Sequence, residues 1–504
     1  MEINLVETLT HFVQAQVVAP FRAVDWTDWR GFWLGQLFNG HDNRLLVIFF
    51  LPLVLVLRMF PRCRFRLGVI LTSLVFMGYV FGTTFVGYWV VVCAAFYWLS
   101  QRYALDLQRR TQLWWNPTYV VLACVAGAYL GFLQLHNVRL PAAWNRWAFG
   151  EGSWLLPLGA RPLPWETYFP FLRPAAEADP PQLFQALFFA PHVCGLVIFT
   201  IRMIHYFAEL RRGTIAPAER TFLNFLAFNS FGPTFMQGPI ERFRDFQDGV
   251  GQAFERRTGR DVAVGLWRIT VGLFKGLLYL LYVAPRVDDL ISRQGYYRHP
   301  EQIESYAVLF FGNHLQALQI YLIFSGYSDI AIGLARLVGY RAAENFRRPW
   351  VATSLIDLWR RWHITLSFIL RDYVYMPLAR RRWNPVATSA VTFLICGALH
   401  NMNPDYIRWG LVMGLLVALN QGWSRWMRDL ERHPQRRFAA ARRACLRLQP
   451  LPKLCAWALT INVFALSASI ALGGSGGFRV LWELIRRPAA WLAEVGGTLA
   501  SALS

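Results

Sequence analysis

The apolar positions of this chain form runs that are too long and too evenly apolar for the surface helices of a soluble protein. A helix needs about 20 mostly apolar residues to cross a bilayer, and ten runs approach or exceed that length. They cover residues 44–60, 67–82, 83–100, 118–135, 183–208, 262–284, 303–325, 385–400, 406–423 and 455–472. The pattern predicts an all-α polytopic membrane protein with about 10–12 transmembrane helices.

Four further apolar runs are interrupted by polar residues, glycine or proline. They cover residues 221–240, 326–340, 352–378 and 479–500. Irregular backbone at membrane depth is tolerated where it is buried in protein. We therefore expect these runs to form tilted, broken or re-entrant helices inside the protein.

Two segments fall outside this helical pattern. Residues 1–43 lack the basic stretch and apolar core of a cleavable signal, and their tryptophans suit a membrane interface. Residues 137–182 contain eight prolines and many aromatic residues, which favours an ordered outer loop over a helix. We therefore divide the chain into an N-terminal interfacial extension, 1–43, and one membrane domain, 44–504, which carries the loop.

The charge distribution indicates how the chain lies in the membrane. A net charge of +21 would suit nucleic acid binding, but the basic residues form short blocks between apolar runs. With the N-terminus outside, the predicted cytoplasmic segments hold 33 of the 51 Lys and Arg residues and the outer segments hold 9. This bias predicts a multi-pass protein of the inner or plasma membrane with an extracytoplasmic N-terminus. The lipid bilayer is its expected surrounding, and nucleic acid is not an expected partner.

The cysteines and the sequence motifs give no sign of a metal or cofactor site. The seven cysteines are scattered and form no CxxC pair, so a disulfide framework or a zinc site is not expected. The chain also lacks the phosphate-loop, dinucleotide-binding and zinc-protease motifs. We expect neither a metal nor a bound cofactor.

Two of the ten histidines stand out, and the first is His363 in the stretch WRRWHITLS. Read as a continuous helix, this stretch pairs Asp357 with Arg361 and places Trp359, Trp362 and His363 on one face. One interpretation is an interfacial amphipathic helix with tryptophan anchors and a solvated histidine. The other interpretation is a functional histidine, and the pattern leaves both open.

The second histidine, His400, ends the apolar run that begins at Pro385. At about 1.5 Å per residue, this run places the histidine past the middle of the membrane, toward the outer face. A histidine at that depth needs a partner or a chemical task. The alternative is a helix-end histidine that bonds to loop carbonyl groups.

A resemblance to a known family distinguishes between these interpretations. The stretch YSDIAIGLARLVGYRAAENFRRPWVATSLIDLWRRWHITLSFILRDYVYMPLARRRWNP, residues 327–385, closely resembles the membrane-bound O-acyltransferase family. It is most similar to the branch that acetylates alginate and related exopolysaccharides, with the D-alanyl transfer proteins of teichoic acid modification as near relatives. Weaker similarity extends from about residue 44 to about residue 490. The resemblance implies a multi-helix membrane fold around a central funnel.

The resemblance also implies roles for the two histidines. The family has an invariant histidine in a stretch like GLWHG, which corresponds to His400 in GALHN, although Leu399 and Asn401 depart from that pattern. The second family histidine corresponds to His363. We expect His400 to be the general base on the acceptor. We expect His363 to lie toward the donor, where it would orient the donor or stabilise the oxyanion.

The resemblance further implies a reaction and its partners. An acyl group, in this branch acetyl, would pass from a cytoplasmic acyl-CoA or acyl-carrier thioester to a hydroxyl on an extracytoplasmic polysaccharide or a separate extracytoplasmic acyltransferase. Candidate donor-binding residues are Arg360 and Arg361, whose guanidinium groups match phosphate geometry, with Trp362, Asn345 and Asp329 as weaker candidates. The alternatives are a transporter or flippase without chemistry, although no internal repeat supports one, and a lipid-directed O-acyltransferase of the same fold.

Overall fold

The structure, a computed structural model, confirms an all-α protein. It describes residues 57, 65–81, 83–108, 198–235, 237–400, 404–433, 438 and 450–487, and these contain helices and turns but no β-strand. Three described helices are long and apolar enough to cross a membrane: Gly259–Ile291, Tyr306–Val338 and Leu451–Gly473. The predicted extension, the predicted outer loop and the runs 44–60 and 118–135 lie wholly or almost wholly outside the described residues, so the total helix number stays a prediction.

The described helices follow one another along the chain. The first seven are α1 Phe65–Phe81, α2 Thr83–Gln108, α3 198–212, α4 Phe222–Ser230, α5 Gly232–Phe235, α6 Phe243–Arg256 and α7 Gly259–Leu278. The next are α8 Ala284–Asp288, α9 Tyr306–Val338, α10 Leu355–Trp359, α11 Ile364–Leu370 and α12 Met376–Arg380. The last are α13 Pro385–His400, α14 Pro404–Arg432, α15 Leu451–Gly473 and α16 Ser475–Arg486. Helical turns with π geometry, Tyr279–Val283, Asp289–Arg293 and Arg371–Tyr375, adjoin α8 and α12.

The chain divides into two compact units. Of the described residues, those within 28–274 and 326–344 form the N-terminal unit, and those within 275–325 and 345–487 form the C-terminal unit. Helices α7 and α9 contribute residues to both units.

An aromatic core holds the N-terminal unit together. Tyr206 on α3 lies edge-to-face on Phe225 of α4 and on Phe243 of α6, with ring centroids 4.9 and 4.8 Å apart. Trp89 on α2 contacts Phe199 at 4.5 Å and donates its indole N–H to Ser230, so this buried ring has both apolar contacts and a polar partner. Each edge-to-face pair adds about 0.5–1.5 kcal/mol to the free energy gained from burial alone.

Helix α9 runs unbroken through most of 326–340, where the sequence predicts a tilted, broken or re-entrant helix. The expected break is wrong, because α9 continues to Val338, whereas the tilt of this segment stays a prediction. A Cβ added at Gly333 would approach the Gly265 carbonyl oxygen to 2.6 Å, and one at Gly272 would meet the backbone of Gly326. The glycines therefore permit close contact between α7 and α9 in the N-terminal unit, and they do not mark breaks in the helix.

In the C-terminal unit, helices α13 and α14 form a tightly packed pair. The predicted run 385–400 coincides with α13. A Cβ at Gly397 would collide with the Tyr406 carbonyl oxygen, and one at Gly410 would collide with the Phe393 carbonyl oxygen. Small residues thus let the two backbones touch, which places the residues of early α14 beside the end of α13.

The segment 352–378 is broken, as predicted, but the break falls inside the stretch that the sequence analysis treats as one helix. Ser354 caps α10 by accepting the Asp357 N–H at 3.1 Å. The helix ends after Trp359, and His363 adopts a left-handed conformation with φ of 43° before α11 begins. The expected continuous helical face through His363 is therefore wrong, although the Asp357–Arg361 ion pair forms at 2.9 Å.

Candidate active site

His363 is held in place by one residue that is distant in sequence, Asn345. The Asn345 carbonyl oxygen accepts the Ile364 N–H at 3.0 Å. Its side-chain oxygen lies 3.0 Å from His363 Nδ1 and also accepts the Thr365 N–H at 3.4 Å and the Thr365 hydroxyl at 3.0 Å. Left-handed backbone is uncommon for a residue other than glycine, and these bonds to three successive residues stabilise it here.

The imidazole ring of His363 is enclosed by protein. Its exposed fraction is 7%, and Asn345 is fully buried. Phe324 on α9 lies perpendicular to the imidazole with centroids 4.7 Å apart. The histidine is therefore fixed within the C-terminal unit, which excludes the interpretation of a solvated surface histidine.

His400 is held differently, at the last residue of α13. Its Nδ1 lies 2.7 Å from the Cys396 carbonyl oxygen, one helical turn earlier. A carbonyl oxygen only accepts hydrogen bonds, so Nδ1 carries the proton in the neutral ring and Nε2 carries the lone pair. The ring lies parallel to Tyr406 at 6.2 Å and tilted toward Trp409 at 5.7 Å, and His400 is exposed.

The two histidines, 37 positions apart in sequence, lie side by side. Their ring centroids are 6.2 Å apart, and the two planes are nearly perpendicular at 89°. Among the described residues, neither Nε2 takes part in a hydrogen bond. A pair of histidines with unbonded Nε2 atoms can take up and release a proton at one small site.

The predicted donor-binding residues next to His363 differ in their exposure and in their partners. Trp362 is buried and packs on Phe346 at 5.1 Å and on Phe464 at 4.8 Å. Arg360 is exposed. The Arg361 Nε donates to Asp357 at 2.9 Å, so part of this guanidinium already has an acidic partner.

Asp329, the remaining candidate, belongs to the N-terminal unit. Its carboxylate lies 2.7 Å from the guanidinium of Arg268 on α7, which also pairs with Glu344 at 2.9 Å. This ion pair ties Asp329 to Arg268 within the N-terminal unit, and its part in donor binding stays a prediction.

Several residues at the site escaped the sequence analysis. Phe324, Tyr406 and Trp409 contact the histidine rings, and the Cys396 carbonyl oxygen orients His400. The contact with Cys396 could have been found from the i, i+4 spacing of a helix. The contacts with Tyr406 and Trp409 depend on how closely α13 and α14 pack, which no local pattern encodes.

The described residues of the C-terminal unit form a cavity away from the two histidines but no metal site. Within the described residues, no group of three or more His, Cys, Asp or Glu side chains is arranged to hold a metal ion. A cavity of about 830 Å³ lies between residues of 281–294 and 308–318, with Arg286, Asp289 and His314 in its lining. Neither His363 nor His400 lines it.

Comparison with known proteins covers the part of the chain that contains the two histidines. The model of the membrane-bound O-acyltransferase family matches residues 183–449, which include both histidines. The probable alginate O-acetylase AlgI of Pseudomonas syringae is 34% identical over 232 residues, covering 45% of this chain and 42% of that protein. The corresponding protein of Azotobacter vinelandii is 28% identical over 394 residues, covering 75% of this chain and 68% of that protein.

A third relative is named for a different acceptor. The peptidoglycan O-acetyltransferase of Helicobacter pylori is 30% identical over 253 residues, covering 49% of this chain and 43% of that protein. The chain spans less than half the length of the first curated relatives it matches.

Proposed function

Because the chain belongs to the membrane-bound O-acyltransferase family, we propose that it is an enzyme that transfers an acyl group from a thioester to a hydroxyl. The acyl group we propose is acetyl, as the names of several relatives state for those proteins. The donor we propose is a cytoplasmic acyl-CoA or acyl-carrier thioester, with no bound cofactor. The acceptor is a hydroxyl of an extracytoplasmic polysaccharide or of a separate extracytoplasmic acyltransferase.

The observation that carries the proposal is the histidine pair. His363 and His400 lie with their ring centroids 6.2 Å apart, each with Nδ1 bonded and Nε2 unbonded among the described residues. Acyl transfer to a hydroxyl needs a base near the acceptor oxygen, and a histidine whose pKa lies near neutrality suits that task.

We assign the base to His400. Its Nε2 accepts the proton of the acceptor hydroxyl while the hydroxyl oxygen attacks the thioester carbonyl carbon. The tetrahedral intermediate then expels the thiolate, which takes the proton back from Nε2 and leaves as a thiol. The products are one ester and one thiol, and the histidine returns to its neutral form. The Nδ1–H bond to the Cys396 carbonyl oxygen keeps the ring oriented throughout.

His363 and its neighbours belong, in this proposal, to the donor side. His363 holds the thioester end of the donor near His400, and Arg360 or Arg361 attracts the phosphates of the donor. Trp362 and Asn345 shape this side of the site from within the protein. Asp329 remains the weakest donor-side candidate, and its carboxylate pairs with Arg268.

The proposed topology places the two sides of the reaction on opposite faces of the membrane. The Lys and Arg distribution supports an inner or plasma membrane protein with its N-terminus outside, because 33 of 51 basic residues fall in the segments assigned to the cytoplasm. Three described helices are long enough to cross a bilayer.

The test uses the full chain, purified and reconstituted in liposomes with labelled acetyl-coenzyme A as the donor probe and purified cell-surface polysaccharide as the acceptor probe. We expect label in the polysaccharide and release of one thiol for each ester formed. His400→Ala should lower the transfer rate about 10²- to 10⁴-fold, which is the usual contribution of a general base. The matched control is His299→Ala, which changes an exposed histidine of the same unit.

Three results would contradict the proposal. Near-normal transfer by His400→Ala would remove His400 from the chemistry. Label that crosses the bilayer as intact donor, with no ester formed, would favour a transporter. Label found in the lipid fraction would instead identify a lipid-directed acyltransferase.

A further inference from the structure

We infer that Asn345 is the positioning residue that fixes His363 with Nδ1 protonated, so that Nε2 is the ring atom offered to the reacting groups. The effect of Asn345 on catalysis rests on the proposed function. The position of the proton on His363 follows from the hydrogen bonds alone. Asn345 thereby acts through His363 and not as a direct contact of the donor.

The orientation of the Asn345 amide follows from its other partners. The Thr365 N–H approaches the same Asn345 side-chain atom as His363 Nδ1 does, and a backbone N–H can only donate. That atom is therefore the amide oxygen, and the Thr365 hydroxyl approaches it as well, at 3.0 Å. An amide oxygen only accepts hydrogen bonds. The proton in the 3.0 Å contact with His363 must consequently sit on Nδ1.

This tautomer changes what the histidine pair can do. With both Nδ1–H groups donated, to Asn345 and to the Cys396 carbonyl oxygen, the neutral pair presents two acceptor atoms and no donor. A neutral His363 therefore cannot stabilise an oxyanion by donating from Nε2. It can accept a proton or a hydrogen bond there, and it becomes a donor toward the reacting groups only after it is protonated.

The main-chain contacts show why Asn345 suits this task. The residue is fully buried and bonds to residues 363, 364 and 365 through both its main chain and its side chain. The left-handed conformation of His363 turns the ring toward that amide. Asn345 thus fixes the position of the ring and its protonation pattern together.

The first measurement needs no enzyme activity. Full-length protein with ¹⁵N-labelled histidine, reconstituted in lipid, reports the protonated ring nitrogen of each neutral histidine by NMR, and His363→Gln assigns the signal of position 363. We expect the Nδ1–H form for His363 in the unsubstituted protein. Finding mainly the Nε2–H form would overturn the inference, whether or not any variant folds.

The second measurement compares variants. Asn345→Ala removes the acceptor and should lower the ratio of Nδ1–H to Nε2–H about tenfold at position 363, the effect of losing one hydrogen bond. Asn345→Asp keeps an acceptor oxygen and should restore Nδ1 protonation. In the transfer assay, Asn345→Ala should lower kcat about tenfold. The KM for the donor should change less, because the proposed contacts of Arg360 and Arg361 with the donor phosphates do not depend on Asn345.

The matched control is Asn313→Ala in the same unit. Asn313 is also fully buried, donates to the Leu309 carbonyl oxygen at 2.9 Å and accepts from Ser469, but among the described residues its side chain makes no hydrogen bond to a histidine. This change should lower stability and leave the tautomer at position 363 unaltered. An equal tautomer shift in both variants would overturn the inference, since Asn345 would then have only a general packing role. If the unsubstituted protein and all variants lacked transfer activity while His363 was found in the Nδ1–H form, the result would contradict the proposed function and leave this inference standing.

Discussion

The buried polar cluster of the N-terminal unit and the histidine pair of the C-terminal unit use their polar groups in different ways. In the N-terminal unit, Arg202 is fully buried and donates to the carbonyl oxygens of Phe228 and Thr234 at 2.8 and 3.2 Å and to the Thr234 hydroxyl at 2.7 Å. In the same unit, Tyr340 donates to Glu241, which is 1% exposed. In the C-terminal unit, His363 and His400 each use one ring nitrogen for an internal bond and keep the other unbonded among the described residues.

This difference shows how to distinguish polar side chains that stabilise the fold from polar side chains that can take part in a reaction. His205 illustrates the structural kind, because its Nε2 accepts the Phe243 N–H at 2.8 Å and the ring is buried. His400 is exposed and its Nε2 remains available. A buried polar group whose internal bonds join separate segments stabilises the fold, whereas one that keeps a reactive atom accessible can perform chemistry.

We expect the largest effect, a loss of stability of the N-terminal unit, from Arg202→Leu. It leaves the carbonyl groups of Phe228 and Thr234 without their donor and Glu241 without its nearby positive charge. We expect a loss of roughly 3–5 kcal/mol in the free energy of unfolding. Thermal unfolding in detergent, followed by intrinsic fluorescence, measures it.

The control for this change is Arg212→Leu on the same helix, where the arginine is exposed and pairs with Glu209 at 2.8 Å. It should shift the unfolding temperature little, since exposed ion pairs contribute about 0–1 kcal/mol. Equal shifts in the two variants would show that the buried cluster does not stabilise the N-terminal unit.

An intermediate effect is expected from the pH dependence of Glu241. Burial raises the pKa of the Glu241 carboxyl to about 7, although the Tyr340 hydrogen bond and the Arg202 charge lower it. The ordinary pKa of Glu is about 4.3, so the folded state binds this proton more tightly than the unfolded chain. Its contribution to stability therefore falls as the pH rises from about 4 to about 7, and it is constant above that range.

Glu241→Gln tests this sign because the amide stays neutral. The variant should gain stability relative to the unsubstituted protein between pH 5 and pH 8, by roughly 2–3 kcal/mol at the upper end. Glu255→Gln, at an exposed position of α6, is the control and should show no such trend. A constant difference between Glu241→Gln and the unsubstituted protein across this range would contradict the raised pKa.

The smallest effect belongs to the half-buried Asp357–Arg361 pair beside the histidine site. Asp357→Asn should cost less than about 1 kcal/mol, as partly exposed pairs usually do. If Arg361 attracts donor phosphates, this change frees its guanidinium and should lower the KM for acetyl-coenzyme A two- to threefold, roughly the loss of a weak competing contact.

The companion variant for this test is Asp372→Asn, which breaks the neighbouring Arg371 pair at 2.8 Å. It should leave the KM unchanged. If both substitutions changed the KM alike, the effect would reflect net charge and not a contact made by Arg361.

The sequence was sufficient for much of the architecture and insufficient for the site. Apolar runs located α1, α2, α7, α13 and α15, because spans need long apolar stretches whatever their partners are. Of the tilted, broken or re-entrant helix expected at 326–340, the break is wrong, because α9 is continuous to Val338. The glycines of that helix instead permit contact with α7, and a local pattern cannot distinguish these two uses of glycine.

The sequence by itself determined the helical class, the family resemblance and the two histidines as candidates, since each depends on residue types and short spacings. Only the tertiary structure decided that Asn345 binds His363, that Asp329 pairs with Arg268, and that His363 lies beside His400. The physical reason is that hydrogen bonds and ring contacts depend on angstrom-scale positions. Those positions follow from the close packing of α13 on α14 and from the left-handed turn at His363, and both come from the folded chain as a whole.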